Sequence, residues 1–244
     1  MKILVSQNAP TNLSAYTSLS EKYGVEFDFK PFFLIQPLSD KEFRAQRINL
    51  QDYTAVIFSS RHAIDAYFKL CELTRFKVPD TMKYFCTTEL VAMYLQKHIV
   101  YRKRKIFFGT GTPDSVVSLI GPKHKGEKFL IASTEGTAPS ALMALLGAAK
   151  IDYTVAALVK PISQDLTGVD FSQYGLCVLY NPADVKALFE NCPDFKPGDM
   201  KFVSFGKSIV KAMEEAGLKA EIQGPTPEVP SAAKAIELFL SSRS

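Results

Sequence analysis

The stretch VIFSSRHAIDAYF, residues 56–68, decides the fold. Val56, Ile57 and Phe58 form a short apolar run that stops at Ser59-Ser60-Arg61, and a helical pattern follows with no linker between. Continuous apolar runs of this length read as strands covered on both faces. A strand passing directly into a helix is the unit from which parallel α/β sheets with right-handed crossovers are built.

The same alternation runs through the chain. Strands are expected at KILVS (2–6), VEFDFKPFF (25–33), AVIFS (55–59), KYFC (83–86) and KIFFG (105–109). Five more are expected at KFLIA (128–132), YTVAALV (153–159), LCVLY (176–180), KFVSF (201–205) and AEIQG (220–224). Amphipathic helical stretches separate most of them.

The order of segments repeats. KILVSQ at 2 resembles KFLIAS at 128, and YGVEFDFKPF at 23 resembles AKIDYTVAALVKP at 149. YTAVIFSSRHAIDAYF at 53 resembles YGLCVLYNPADVKALF at 174, and MKYFCTTELVAMYL at 82 resembles MKFVSFGKSIVKAM at 200. The order is A-B-A′-B′, an internal duplication in which each A carries two strands and each B three. One A plus one B makes a five-stranded doubly wound sheet, so the expected architecture is two similar α/β domains. The repeat alone leaves open which A joins which B. FFLIQP (32–37) and VAALVKP (155–161) read as strands that leave one domain and enter the other.

Composition bounds the function. With 244 residues, 47% hydrophobic and 22% charged, the chain is globular. A net charge of +4 suits an anionic ligand and is too weak to argue for nucleic acid. Cys71, Cys86, Cys177 and Cys192 form no C-x-x-C pair, so no metal site is expected, and the first three read as packing residues. MKILVSQNAP is too short an apolar run for a signal peptide, and no stretch is long enough to span a bilayer. The expectation is a cytoplasmic protein that binds no membrane.

In doubly wound sheets ligands bind where strands end and helices begin, because free N–H groups and the positive end of the helix dipole favour anions. Polar sets fall there at Ser6-Gln7, Ser59-Ser60-Arg61, Thr87-Thr88, Ser133-Thr134, Asn181 with Ala183 and Gly206-Lys207-Ser208. Each alone is an ordinary N-cap. Together, on duplicated domains, they point to a cleft lined for an anion. Gly109-Thr110-Gly111 lacks the third glycine of a dinucleotide fingerprint, which argues against a generic nucleotide-binding protein. YRKRK at 101–105 reads as a solvated face, and no Ser/His/Asp or Cys/His set assembles.

The chain resembles the uroporphyrinogen-III synthase family along its whole length. AVIFSSRHAIDAYF, VLYNPADVKALF, FVSFGKSIVKAMEEAGL and GPTPEVPSAAKAIELF, in that order, carry the resemblance, which adds Thr226 to the turns expected to line the cleft. It implies two segment-swapped domains, residues 1–34 with 165–244 and residues 35–164, joined by two antiparallel strands. It further implies a monomeric hydro-lyase without cofactor or metal that takes hydroxymethylbilane, a linear tetrapyrrole with eight carboxylates, from the preceding bilane-forming enzyme. The product is uroporphyrinogen III, with the fourth ring inverted. Val159 aligns with the family's tyrosine, Ile209 and Glu89 with threonines, and Asp184 falls where a polyanion docks. Those departures leave no catalytic residue assigned. They also support an alternative, a tetrapyrrole-binding or regulatory paralogue weakened in turnover.

Overall fold

A computed structural model describes residues 1–137 and 140–243, with the side chain of Lys207 outside that description. The chain divides into two compact units, Met1–Leu34 with Ile162–Ser244, and Ile35–Pro161.

The first unit is built on β1 (Lys2–Val5), β2 (Glu26–Phe29), β9 (Tyr174–Leu179), β10 (Lys201–Phe205) and β11 (Ala220–Gly224). Their order across the sheet is β11-β10-β9-β1-β2, and the pairings are parallel. Helices α1 (Ser14–Tyr23), α7 (Pro182–Asn191), α8 (Lys207–Glu215) and α9 (Ala232–Ser241) cover it.

The second unit repeats the arrangement. It contains β4 (Ala55–Phe58), β5 (Lys83–Cys86), β6 (Ile106–Phe108), β7 (Phe129–Thr134) and β8 (Tyr153–Ser163), the last running on past the unit's end. The strand order β6-β5-β4-β7-β8 matches the first sheet position for position, and β3 (Phe33–Pro37) adds a sixth strand beside β8. The helices are α2 (Asp40–Ala45), α3 (Arg61–Leu73), α4 (Glu89–Tyr94), α5 (Pro113–His124) and α6 (Ala141–Ala148).

Segment A therefore shares a sheet with B′, and B with A′. β3 and β8 run in opposite directions: the Gln164 N–H donates to the Phe32 carbonyl and the Leu38 N–H to the Leu158 carbonyl, so partner numbers fall as β3 advances. The apolar run expected as one strand at 25–33 is divided. Pro31 has no N–H for a ladder, and β2 ends before it.

Alternation along each strand sorts side chains onto two faces. In β4, Ala55 and Ile57 pack with Val116 and Ile120 of α5. Val56 and Phe58 face Ile64 and Tyr67 of α3 and Ala92 of α4. In β9, Leu176 and Val178 meet Ile236 and Phe239 of α9, while Cys177 and Leu179 meet Val185 and Leu188 of α7. Both faces are dry, which explains the unbroken apolar runs. Each large side chain so buried contributes about 1.5–3 kcal/mol.

The exposed edge of β8 is tied to α2 by one side chain. Gln46 accepts the Ala157 N–H at 2.9 Å and donates to the Ala157 carbonyl at 2.8 Å. Gln46→Ala leaves both backbone groups without that partner. It is expected to cost about 2 kcal/mol in denaturant unfolding, against well under 1 kcal/mol for an exposed control such as Gln51→Ala.

Candidate functional site

Most of the parallel strands lead into a helix, and the first N–H groups of such a helix lack intrahelical partners. Several residues expected to bind a ligand cap these ends. Ser60 Oγ accepts the Ala63 N–H at 3.2 Å and Thr88 Oγ1 the Val91 N–H at 3.3 Å; Thr226 Oγ1 accepts the Val229 N–H at 3.1 Å inside a turn that precedes α9, whose own cap is Ser231. Such a cap is worth about 1 kcal/mol.

What the caps leave over differs between the turns. At the start of α3, the N–H groups of Ser59, Ser60, Arg61 and His62 have no acceptor among the described residues. Ser59, Arg61 and His62 are exposed and Ser60 is half-buried. The Arg61 guanidinium lies 5.5 Å from the ring centroid of Tyr94. The Tyr94 hydroxyl donates to Asp65 at 2.7 Å, and His98 Nε2 meets the same carboxylate at 2.7 Å. Sequence reasoning missed this network. Its directly touching partners Asp65 and His98 stand 33 residues apart, and no local pattern joins them.

The start of α8 is also open. Gly206, its N-cap, has φ of 155° and no capping side chain, and Ser208 and Ile209 offer N–H groups with no acceptor among the described residues. A Cβ at position 206 would lie 2.9 Å from the Tyr180 carbonyl oxygen, so glycine is required there. Ser208 is exposed, Ile209 is buried in the core, and the Lys207 side chain lies outside the described residues.

The start of α7 is closed. Asp184 Oδ2 accepts the N–H groups of Tyr180 and Asn181, each at 2.9 Å. Asn181 Oδ1 accepts the Ala183 N–H at 3.0 Å, the Asp184 N–H reaches the Asn181 carbonyl at 2.8 Å, and Pro182 has none to give. Asp184 is 0% exposed. The expectation that it projects a carboxylate toward a docking polyanion is corrected: as the third residue of the helix it turns inward and closes a capping box.

Ser6, expected among the residues that line an anion cleft, is only 4% exposed. Its hydroxyl lies beside Asp184 and favours the charged carboxylate, although Ser6 Oγ and Asp184 Oδ1 are not within hydrogen-bonding geometry. Gln7 is exposed. In the second unit, Ser133 and Thr134 line a hollow of about 310 Å³ with Leu38, Gln46, Glu135 and Val155. Thr87 is half-buried at the end of β5. The glycine loop serves the protein itself: the Thr110 N–H donates to Ser115 Oγ and the Gly111 N–H to the Thr87 carbonyl.

Val159 is 1% exposed, packed in the core with Leu158 and Ala156. The register of β7 against β8 shifts between Ser133 and Thr134, which sets Val159 opposite Thr134. The buried place of Val159 leaves no room for the family's tyrosine ring without a shift of its neighbours. Val159→Tyr overpacks the core and is expected to lower stability by about 1–3 kcal/mol in thermal or denaturant unfolding, with no gain in turnover.

Among the described residues no three His, Cys, Asp or Glu side chains gather as metal ligands, and no helix is long and apolar enough to cross a membrane. Cys71, Cys86 and Cys177 are buried, and burial pushes the Cys71 and Cys86 thiols up to about 12.

Burial pushes the Asp184 carboxyl up from 3.8 to about 6, against the two N–H donors and Ser6, which hold it down. The folded state therefore holds this proton more tightly than the unfolded chain. That stabilisation is full below pH 3.8 and lost as pH rises through about 6. Asp184→Asn does not titrate. Relative to this variant, the wild type is expected to lose about 2 kcal/mol of stability between pH 4 and pH 7, read from denaturant midpoints at each pH.

The family model of uroporphyrinogen-III synthase HemD matches residues 14–234. Among solved structures, the uroporphyrinogen-III synthetase of Helicobacter pylori superposes with a TM-score of 0.59 at 16% identity, covering 99% of each chain. A mutant uroporphyrinogen III synthase of Thermus thermophilus superposes at 0.54 with 14% identity, covering 100% of each. At these identities the two structures establish the fold. No curated protein matches by sequence.

Proposed function

Because the chain belongs to the uroporphyrinogen-III synthase family of tetrapyrrole biosynthesis, we propose that it closes hydroxymethylbilane to uroporphyrinogen III. The bilane loses its terminal hydroxyl as water, the fourth ring inverts through a spiro intermediate, and the macrocycle closes. Beyond family membership, the observation that carries this reading is the α3 turn, where four N–H groups, that of Arg61 included, have no acceptor among the described residues and the Arg61 guanidinium adds a positive charge.

A substrate with eight carboxylates needs distributed donors that are fixed before it arrives. Helix N-termini supply them at no cost in side-chain entropy. Holding the chain ends in one geometry favours the inverted closure over the spontaneous one, and preorganised donors lower the cost of charge that shifts during it. The α3 and α8 starts are the proposed carboxylate holders, with Ser59, Ser60, Arg61 and Ser208 as the contact residues. No side chain is assigned to the reacting atoms. We place the protein in the cytoplasm as a monomer that works without cofactor or metal and receives its substrate from the preceding bilane-forming enzyme.

The second reading, a tetrapyrrole-binding paralogue, is favoured by Val159, whose buried place in β8 offers no hydroxyl for proton transfer.

One assay separates the two. Hydroxymethylbilane is supplied, the products are oxidised and the porphyrin isomers are resolved by chromatography. Type III product above the spontaneous background is expected. Type I alone, at the uncatalysed rate, would sink the synthase reading, and retained affinity for uroporphyrinogen would then favour the binding paralogue. Arg61→Ala is expected to raise KM about 5-fold with a smaller change in kcat, as loss of a partly exposed charge-assisted contact does.

A further inference from the structure

The internal repeat supplies its own control. Aligning the two copies sets Ser59 and Ser60 against Tyr180 and Asn181, and Ala63 against Asp184. Ala63 is 2% exposed and Asp184 0%, so both side chains point inward from the third position of their helices. One copy places a methyl group under its turn, and the other a carboxylate.

That difference governs the donors. In α3 the Ala63 N–H is taken by Ser60 Oγ, and the N–H groups of Ser59 and Ser60 stay without acceptors among the described residues. In α7 the corresponding N–H groups of Tyr180 and Asn181 both end on Asp184 Oδ2 at 2.9 Å. The remaining donors there are consumed by Asn181 or absent at Pro182.

We propose that Asp184 is a specificity-determining residue: its carboxylate fills the α7 turn from inside, so this turn takes no substrate carboxylate and the α3 and α8 starts bear that task. The identity of the substrate rests on the synthase reading above; the filling of the turn does not.

Energetics favour a filled turn over an exchangeable one. An internal carboxylate already fixed by the backbone meets no association cost, whereas an external one must lose translational freedom. Asp184 holds its two donors on one oxygen while Oδ1 stays buried without a hydrogen bond. The nearby Ser6 hydroxyl adds a favourable dipole to the same group. A substrate carboxylate approaching Tyr180 and Asn181 finds no free N–H and a like charge behind them.

The test reads the turns themselves. Backbone amides are assigned by NMR and the whole protein is titrated with inorganic phosphate at pH 7.5. In the wild type, the amides of Ser59 and Ser60 are expected to shift while those of Tyr180 and Asn181 stay still. Asp184→Ala, which copies the α3 residue, is expected to make Tyr180 and Asn181 respond. The reciprocal Ala63→Asp is expected to silence Ser59 and Ser60, and it stands as the second variant if Asp184→Ala does not fold. Responsive Tyr180 and Asn181 amides in the wild type overturn the proposal. So do silent ones in folded Asp184→Ala, or undiminished Ser59 and Ser60 shifts in folded Ala63→Asp.

A parallel titration uses uroporphyrin, an eight-carboxylate macrocycle, across a range of salt. Asp184→Ala is expected to bind it about 10-fold more tightly at low salt, the size of one recovered charge-assisted contact. Equal or weaker binding by the folded variant counts against the substrate part of the proposal. If the phosphate pattern holds but the bilane assay yields only type I product, the synthase reading fails and the filled turn stands.

Discussion

Every junction in this fold where a parallel strand turns into a helix leaves backbone N–H groups that the helix cannot satisfy. The rest of the structure answers that constraint. Side-chain oxygens take one donor at each of several turns, as Ser60, Thr88 and Ser231 do. Neighbouring strands take others, as when the Gly206 N–H reaches the Gly224 carbonyl at 2.7 Å. Among the described residues, the groups left without acceptors at α3 and at Ser208 of α8 belong to exposed or half-buried residues. A polar donor is tolerable there because water or an anion can meet it. Binding capacity in this chain is the remainder of its own hydrogen-bond accounting.

The sheets make that accounting possible. With both faces covered, central strands such as β4 and β9 are apolar along their length, and polarity is confined to their ends. Phe58 ends β4 at 0% exposed, and the next residue, Ser59, is exposed. The transition from core to donor thus takes one residue. The duplication uses this economy twice, since β6-β5-β4-β7-β8 and β11-β10-β9-β1-β2 repeat one order. The segment exchange, A with B′ and B with A′, sends the chain out and back through β3 and β8, whose opposed directions follow from that path.

Much of this was legible in the sequence. Strand positions came through because apolar runs covered on both faces have few alternatives at that length. Ser60, Thr88 and Asn181 were recognisable as helix starts, because short polar side chains before a helical pattern have one dominant local use. What stayed hidden depended on direction and register. A carboxylate at a helix's third position can reach outward to solvent or back to its own cap, and Asp184 takes the second course, onto the N–H groups of Tyr180 and Asn181. Val159 is in the core because the β7–β8 register shifts next to it, and a repeat alignment carries no such information. Gln46 and Ala157 stand 111 residues apart, and Asp65 and His98 stand 33 apart. No local pattern joins such pairs.

The two copies show how a duplicated binding turn diverges without loss of fold. Placing a carboxylate at 184 costs stability at neutral pH, because burial disfavours its charge. The same carboxylate satisfies two backbone donors that would otherwise need water or a ligand. An unfilled turn stays dependent on solvent and remains open to anions; a filled one is self-sufficient and inert. The α3 turn keeps the first condition with only a methyl group at Ala63, and the α7 turn adopts the second through one carboxylate. A single inward-facing position therefore separates a structural turn from a binding turn, while the strand, the cap and the helix behind it stay the same.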